Sequence, residues 1–137
     1  MIRIALLFLL LTASTVAFAQ RGSQKMLKGY DAIYPFKNGK AKVEKGGKIG
    51  YINLEGEEII PPIYDAIYPF ERGVAKVEKA GLIGMINEQG EILLEAVYDY
   101  IGPNKNGLVV VTRFGKRGLC KITGNTPDDV EYIVDIR

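Results

Sequence analysis

The chain holds few of the side chains that enzymes use as nucleophiles or as zinc ligands. It has 137 residues and no histidine, which excludes Ser-His-Asp and Cys-His nucleophile systems and His-containing zinc sites. Cys120 is the single cysteine, and the alternating residues around it predict a buried, inert thiol on a strand. Catalysis would therefore have to rest on carboxylates, lysines, tyrosines or Cys120.

Three aspartates, Asp31, Asp65 and Asp99, recur at intervals of 34 residues. Stacked copies of a repeat would align their carboxylates as oxygen ligands for Ca²⁺. Alternatively, each aspartate begins a turn and accepts a hydrogen bond from a nearby backbone N–H. We favour the turn, because the sequence has no D-x-D-x-D-G loop and a structural aspartate should recur in every copy. No metal site is predicted.

Two adjacent acidic pairs, Glu57-Glu58 and Asp128-Asp129, invite comparison with glycosidases. A glycosidase holds two carboxylates across a cleft, whereas neighbours on a strand point to opposite faces. Solvated turn residues are the better interpretation. The glycines between Gly46 and Gly50 lack the spacing of a phosphate-binding loop, and no helix follows them. The sequence thus predicts no catalytic residue and no cofactor.

The tyrosines are the most informative candidates for a binding site. Tyr34 and Tyr68 each precede a proline at the same place in the repeat, and Tyr100 follows in the third copy. Packing would explain them, but an exposed aromatic stripe would bind sugar rings or a partner's backbone. The remaining repeated aromatic residues are expected in the core: Tyr30, Tyr64, Tyr98, Phe36 and Phe70.

A 34-residue repeat must position these side chains. Residues 30–63 and 64–97 share 20 identical positions of 34, and residues 98–131 form a degenerate third copy. Residues 132–137 are expected to form a C-terminal cap strand. Met26 and Leu27 fall one period before Ile60 and Pro61, which predicts the closing strand of a partial copy within residues 20–29.

The pattern inside the repeat predicts an all-β fold. Residues 40–45 alternate between charged and apolar side chains, as a half-buried strand does. Gly46-Gly47 suits a tight hairpin turn. Residues 49–53 form a second strand, and residues 58–60 form a third that is expected to stop at Pro61-Pro62, since proline cannot donate to a strand ladder. Each repeat is therefore expected to be a β-hairpin extended to three strands.

Residues 1–19 have the pattern of a secretory signal peptide. An apolar run over residues 4–18 closes on Ala17-Phe18-Ala19, a small-x-small cleavage pattern. The run is shorter than the ~20 residues of a bilayer span. We therefore predict a signal helix that is cleaved, and an exported protein of the periplasm or the extracellular space.

The charge balance argues against two classes of partner. Removal of Arg3 with the signal leaves 17 basic residues (18 minus one) against 16 acidic ones, in alternating Lys and Glu. A nucleic-acid-binding protein or a polybasic membrane-surface protein would show a dominant basic face. The sequence thus predicts no nucleic-acid partner and, after cleavage, no membrane partner.

Residues 30–65 contain, in order, Tyr-Asp-x-Ile-x-x-Phe, Gly-x-Ala-x-Val, Gly-Lys-x-Gly-Tyr-Ile-Asn and Gly-x-Glu-Ile-Ile-Pro-Pro-x-Tyr-Asp, which is the fullest form of the repeat. This order and spacing resemble the WG repeat of bacterial proteins. The tryptophan that names that family is replaced by Ile49, Ile83 and Arg117. The resemblance implies a β-rich repeat module, common in exported or surface-associated proteins, with no established catalytic residues.

These patterns together favour a non-enzymatic module that binds a protein, peptide or envelope polymer. Binding predicts an exposed patch of Tyr, Pro and Lys shared between consecutive copies. One alternative is a carboxylate-dependent glycan hydrolase, which needs two carboxylates from different strands roughly 5–10 Å apart. Another is a structural spacer without a ligand. The sequence does not indicate an oligomeric state.

Overall fold

A computed structural model describes residues 29–136, with side chains described as far as Ile133. This part of the chain forms strands and one short 3₁₀ helix, which confirms the all-β prediction. The signal helix predicted over residues 1–19 and the strand predicted around Met26 and Leu27 lie outside the described residues. No helix within residues 29–136 has the length and apolar character needed to cross a membrane.

The strands form three antiparallel sheets, one for each repeat, with the strands of each sheet side by side in chain order. Sheet 1 contains β1 (Ala32–Ile33), β2 (Lys40–Lys45), β3 (Lys48–Asn53) and β4 (Glu58–Tyr64). Sheet 2 contains β5 (Ala66–Ile67), β6 (Val74–Lys79), β7 (Leu82–Asn87) and β8 (Ile92–Tyr98). Sheet 3 contains β9 (Tyr100–Ile101), β10 (Leu108–Arg113), β11 (Lys116–Ile122) and β12 (Val130–Ile136). Each repeat thus has the three expected strands, preceded by a strand of two residues.

Alternation along β2 decides which of its faces is buried. Ala41 and Val43 are fully buried, while Lys42 on the other face is only half-buried. Gly46 and Gly47 form the turn to β3 with φ of +57° and +75°, a region that glycine enters without steric cost. The hairpin therefore forms where the alternating pattern and the glycine pair predict it.

β4 continues through Pro61-Pro62, where the sequence predicted that it would stop. Tyr51 pairs with Ile60 and Ile49 pairs with Tyr64, so the residues between them on β4 form a bulge. A bulge interrupts the ladder, and a proline within it removes no ladder hydrogen bond. The expected end of this strand was wrong for that reason.

The three sheets pack on one another because the last strand of one leads directly into the first strand of the next, β4 into β5 and β8 into β9. The core between sheets 1 and 2 is formed by Ile60, Tyr64, Ala75, Val77 and Ile86. The core between sheets 2 and 3 is larger and includes Met85, Leu94, Tyr98, Ile101, Val109, Val111, Cys120 and Ile122. Cys120 is fully buried there, and burial raises the pKa of its thiol.

The third repeat differs from the others in its last connection. In repeats 1 and 2 the side-chain oxygens of Asn53 and Asn87 accept hydrogen bonds from the two backbone N–H groups that close a short turn. Lys121 takes this position in repeat 3. The connection there is longer and contains the 3₁₀ helix Pro127–Asp129. β12 then pairs with β11, in the place that β4 and β8 take in the other sheets.

The aromatic residues expected in the core have different environments. Tyr64 and Tyr98 are buried, and Tyr30 and Phe70 are half-buried. Phe36 is 44% exposed, so its placement in the core was wrong. Phe70 packs in the contact between sheets 1 and 2, and no sheet in the described part of the chain precedes sheet 1 to cover Phe36.

Candidate binding groove between the second and third repeats

The three candidate tyrosines are on the surface, but they do not form one row. Tyr34 is 39% exposed, Tyr68 46% and Tyr100 52%. Tyr34 and Tyr68 occupy equivalent positions, whereas Tyr100 is equivalent to Ala66, two positions earlier in the repeat. The structure brings Tyr68 and Tyr100 together along one groove, which Tyr34 does not line.

The groove lies between repeats 2 and 3 and has a volume of about 1120 Å³. Tyr68 and Pro69 contribute to it from repeat 2, and Tyr100 and Pro103 contribute from repeat 3. Its apolar lining includes Val74, Ile83, Met85, Ile101 and Ile122, and its polar lining includes Glu71, Arg72, Lys76, Asn104, Asn106, Thr123 and Asn125. We call it the inter-repeat groove.

The contact between repeats 1 and 2 shows why the groove exists. Phe70 projects into that contact, where its ring meets the ring of Tyr51 edge-on, with 6.2 Å between centroids and 77° between planes. The ammonium group of Lys40 lies 4.9 Å from the centre of the same ring. One period later these three residues are replaced by Asn104, Met85 and Val74. The second contact thus lacks the aromatic pair of the first.

Asn104 does not fill the space that a phenylalanine would take. Its Oδ1 accepts a hydrogen bond of 2.8 Å from the backbone N–H of Gly107, within its own turn. The turn itself keeps the shape found in the other repeats, since Asn38, Arg72 and Asn106 all have φ near +50°. The replacement of phenylalanine by Asn104 in a preserved turn therefore contributes to the opening of the inter-repeat groove.

Polar contacts across the second interface fix the two sides of the groove. Lys76 Nζ donates to the carbonyl oxygen of Ile101 over 2.6 Å. Asn87 Nδ2 donates to the carbonyl oxygen of Asn125 over 2.9 Å. Each bond joins a side chain of repeat 2 to the backbone of repeat 3, so the groove is held by groups on both of its sides.

Tyr68 is oriented by a carboxylate of its own sheet. Its hydroxyl donates to Glu78 Oε2 over 3.2 Å, and this hydrogen bond raises the pKa of Tyr68. Tyr34 makes the equivalent bond to Glu44 Oε1 at 2.5 Å. The two tyrosines thus share their local structure, and of the two, Tyr68 lines the inter-repeat groove.

Comparison with known protein families identifies the repeat. The family described as WG containing repeat matches residues 28–48, 49–82 and 83–116. The chain belongs to the WG-repeat family. No curated protein and no solved structure gives a match to it.

The glycine of the WG pair has a structural role that does not require the tryptophan. A Cβ on Gly84 would lie 2.6 Å from the carbonyl oxygen of Leu94 and 2.8 Å from the nitrogen of Ala96, both on the bulged strand β8. Gly50 faces the bulge of β4 in the same way. The WG-repeat glycine therefore lets a bulged strand approach its neighbour, even where isoleucine replaces the preceding tryptophan.

The recurring aspartates of this WG-repeat chain hold its hairpins. The Oδ2 atoms of Asp31, Asp65 and Asp99 accept hydrogen bonds of 2.6, 2.7 and 2.8 Å from backbone N–H groups 15 residues further on, at the turn between the second and third strands of each sheet. Asp65 also pairs with Lys48. This pairing is the main cause that lowers the pKa of Asp65, and the hydrogen bond from the backbone N–H of Ala80 is the second. These carboxylates accept backbone hydrogen bonds, as predicted, but the donors belong to a hairpin turn 15 residues further on and not to a turn that each aspartate begins.

The adjacent acidic pairs are also engaged in local structure. Glu57 accepts a hydrogen bond from Asn53 Nδ2, and Glu58 accepts one from the hydroxyl of Tyr30. Asp129 accepts bonds from both the backbone N–H and the hydroxyl of Thr126. Within residues 29–136, no three Cys, Asp or Glu side chains are grouped so as to hold a metal ion.

The sequence pattern predicted Tyr68 and Tyr100 as surface candidates, but it did not predict the residues that open the groove. Aligning the three copies would have revealed these residues, because two of them replace aromatic residues of an earlier copy. Asn104 breaks the series Phe36, Phe70, and Met85 replaces Tyr51 one period on. Both replacements fall on the same interface, which only the packing of the sheets reveals.

Proposed function

We propose that this chain is an exported, non-enzymatic WG-repeat module that binds an extended protein segment or envelope polymer in the inter-repeat groove. The observation that carries the proposal is the groove itself, which presents Tyr68, Pro69, Tyr100 and Pro103 from consecutive repeats. Tyrosine combines a large apolar ring with a hydroxyl group and is enriched at binding surfaces. A groove of about 1120 Å³ is as large as or larger than most small-molecule sites, which suits a ligand that runs through it.

The composition of the groove favours binding over hydrolysis. Glu71 is the one acidic side chain among the described residues that line it. Glycoside hydrolysis in most families uses two carboxylates that face each other across the bond to be broken. The other candidate carboxylates accept hydrogen bonds from their own hairpins and turns. Nothing in the groove therefore supports the hydrolase alternative.

The test compares the wild-type chain with variants of its exposed tyrosines. Immobilised residues 20–137 are incubated with envelope extract and with a glycan panel. The double variant Tyr68→Ala, Tyr100→Ala removes both rings from the groove, and Tyr34→Ala removes another exposed ring that lies outside it. We expect the double variant to retain at least 10-fold less ligand and Tyr34→Ala to retain as much as the wild type.

Several results would count against the proposal. A double variant that retains the wild-type amount of ligand would show that the groove is not the binding site. A wild-type chain that retains nothing would favour the spacer alternative. Thermal melts of all three proteins accompany the assay, and because the rings are exposed, the melting temperatures should agree within a few degrees.

Export is tested separately, because it rests on the pattern of residues 1–19 and not on the groove. The full chain is expressed in a bacterial host, the cell is fractionated, and the N-terminal residue of the protein is determined. We expect a mature protein that begins at Gln20 in the periplasm or the medium. An uncleaved protein in the cytoplasm would contradict this part of the proposal.

A further inference from the structure

The first contact between repeats shows which kind of side chain this architecture places between two sheets. The position in question holds Phe36, Phe70 and Asn104 in the three repeats. In repeat 2, Phe70 projects from its turn against the preceding sheet, where Tyr51 and Lys40 contact its ring. An aromatic side chain at this position is thus the natural occupant of the space between two consecutive sheets.

Repeat 3 lacks this occupant. Asn104 bonds to its own turn, and the apolar residues Val74, Ile83 and Met85 line the space that remains. Methionine sulfur and the edge of an aromatic ring attract each other. The inter-repeat groove therefore offers an apolar site suited to a phenylalanine ring that none of the residues 29–136 supplies.

Repeat 1 has the opposite property. Phe36 is 44% exposed, and the whole of its segment, residues 34–39, is exposed. The sequence Tyr-Pro-Phe at residues 34–36 is identical to that at residues 68–70, and Tyr34 is bonded to Glu44 as Tyr68 is to Glu78. Repeat 1 thus presents, in the same local conformation, the group that the groove lacks.

We propose that the inter-repeat groove binds the Phe36 side chain of a second copy of this chain, so that the copies associate head to tail. The proposal rests on the proposed function in that it uses the same groove, and it names the occupant. The two surfaces are different and lie on different repeats, so the contact is heterologous. Such contacts continue from copy to copy unless a rotation closes them into a ring.

This arrangement has a specific test, because each of the two surfaces can be removed alone. Phe36→Ala removes the inserted ring and leaves the groove. Asn104→Phe places a ring in the groove, as Phe70 does in the first contact, and leaves Phe36 free. The mass of residues 20–137 is measured by sedimentation velocity over a 100-fold range of concentration for the wild type, for each variant and for their equimolar mixture.

We expect the mass of the wild type to increase with concentration and each variant alone to remain a monomer. The mixture should form a 1:1 dimer and nothing larger, because the pair has one functional groove and one free Phe36. Phe114→Ala is the matched control, since Phe114 is 83% exposed on a hairpin turn, and it should associate as the wild type does. A mixture that stays monomeric, or single variants that associate like the wild type, would overturn the proposal.

A peptide assay covers the case in which Asn104→Phe fails to fold. The peptide AIYPFKNG, which is residues 32–39, is titrated into the Phe36→Ala protein by calorimetry, beside the peptide AIYPAKNG. We expect the first peptide to bind at least 10-fold more tightly, and equal binding or no binding of both would overturn the proposal. If self-association fails while envelope ligand is still retained through Tyr68 and Tyr100, the occupant is wrong and the proposed function stands.

Discussion

Replacing Gly84, the glycine of the second WG position, should destabilise the fold, and the distances around this glycine give the size of the loss in the free energy of unfolding. In Gly84→Ala the new Cβ would lie 2.6 Å from the carbonyl oxygen of Leu94. Real Cβ atoms are essentially never closer than 3.0 Å to such an atom, so the two strands must separate by at least 0.4 Å (3.0 minus 2.6). The obstructing atoms are backbone, and they cannot rotate away as a side chain can.

The size of the effect follows from two opposing terms. Overpacking of this kind costs typically about 1–3 kcal/mol. The smaller conformational freedom of alanine in the unfolded chain offsets about 0.4–1 kcal/mol of that cost. We therefore expect a loss of about 1–2 kcal/mol in the free energy of unfolding, which for a domain of this size lowers the melting temperature by roughly 5–15 °C. Differential scanning calorimetry measures it directly.

Gly102→Ala is the matched control. A Cβ on Gly102 would meet its nearest neighbour, the carbonyl oxygen of Val110, at 3.4 Å, which is ordinary contact. We expect this variant to melt within about 3 °C of the wild type. If Gly84→Ala melts as the wild type does, or if the two variants lose the same amount, then close approach to the bulged strand is not the reason for the WG-repeat glycine.

Three further predictions concern charge, reactivity and packing. The contact with Lys48 lowers the pKa of Asp65 below its usual 3.8. The ionised carboxylate therefore stabilises the fold fully above the pKa of the unfolded chain, and this stabilisation is lost as the pH falls through the lower pKa of the folded protein. Asp65→Asn should therefore lower the melting temperature at pH 7 and make its decline between about pH 5 and 2 less steep; a steeper decline would contradict this. The Cys120 thiol is fully buried, so a thiol reagent should react with it only as fast as the protein unfolds, and rapid reaction in the native state would contradict the structure. Phe70→Ala should cost about 2 kcal/mol in the free energy of unfolding, measured by urea denaturation, whereas the exposed Phe114→Ala should cost less than about 0.5 kcal/mol; equal losses would contradict the packing of Phe70.

The fold could be predicted because its rules act over short stretches of sequence. The alternation in residues 40–45 sets the buried face of one strand, and the following glycine pair closes the hairpin. The 34-residue period then repeats the same solution. Pro61-Pro62 misled the prediction because a proline is compatible with a strand when it lies in a bulge, and bulges depend on the partner strand.

The groove could be predicted only in part, because it depends on two residues that are distant in sequence. Tyr68 and Tyr100 are visible as repeated aromatic residues, but an exposed ring and a packed ring have the same sequence signature. Phe36 and Phe70 occupy identical heptapeptides but differ in exposure. Phe70 packs against sheet 1, whereas in the described structure no sheet precedes sheet 1 to cover Phe36. A repeat unit specifies its own strands, whereas its neighbour decides what is buried.

The departures of the third repeat argue for a use of the inter-repeat groove. Val109, Val111 and Cys120 keep the buried face of sheet 3 apolar, so the third repeat retains its fold. The replacements that open space fall on one interface, where Asn104 turns back to its own loop and the longer connection adds Asn125 to the lining. A copy that only ended the array would need a polar outer face and would not need a cavity on its inner side. The concentration of these replacements at one interface therefore favours the proposed binding site between repeats 2 and 3 over a spacer without a ligand.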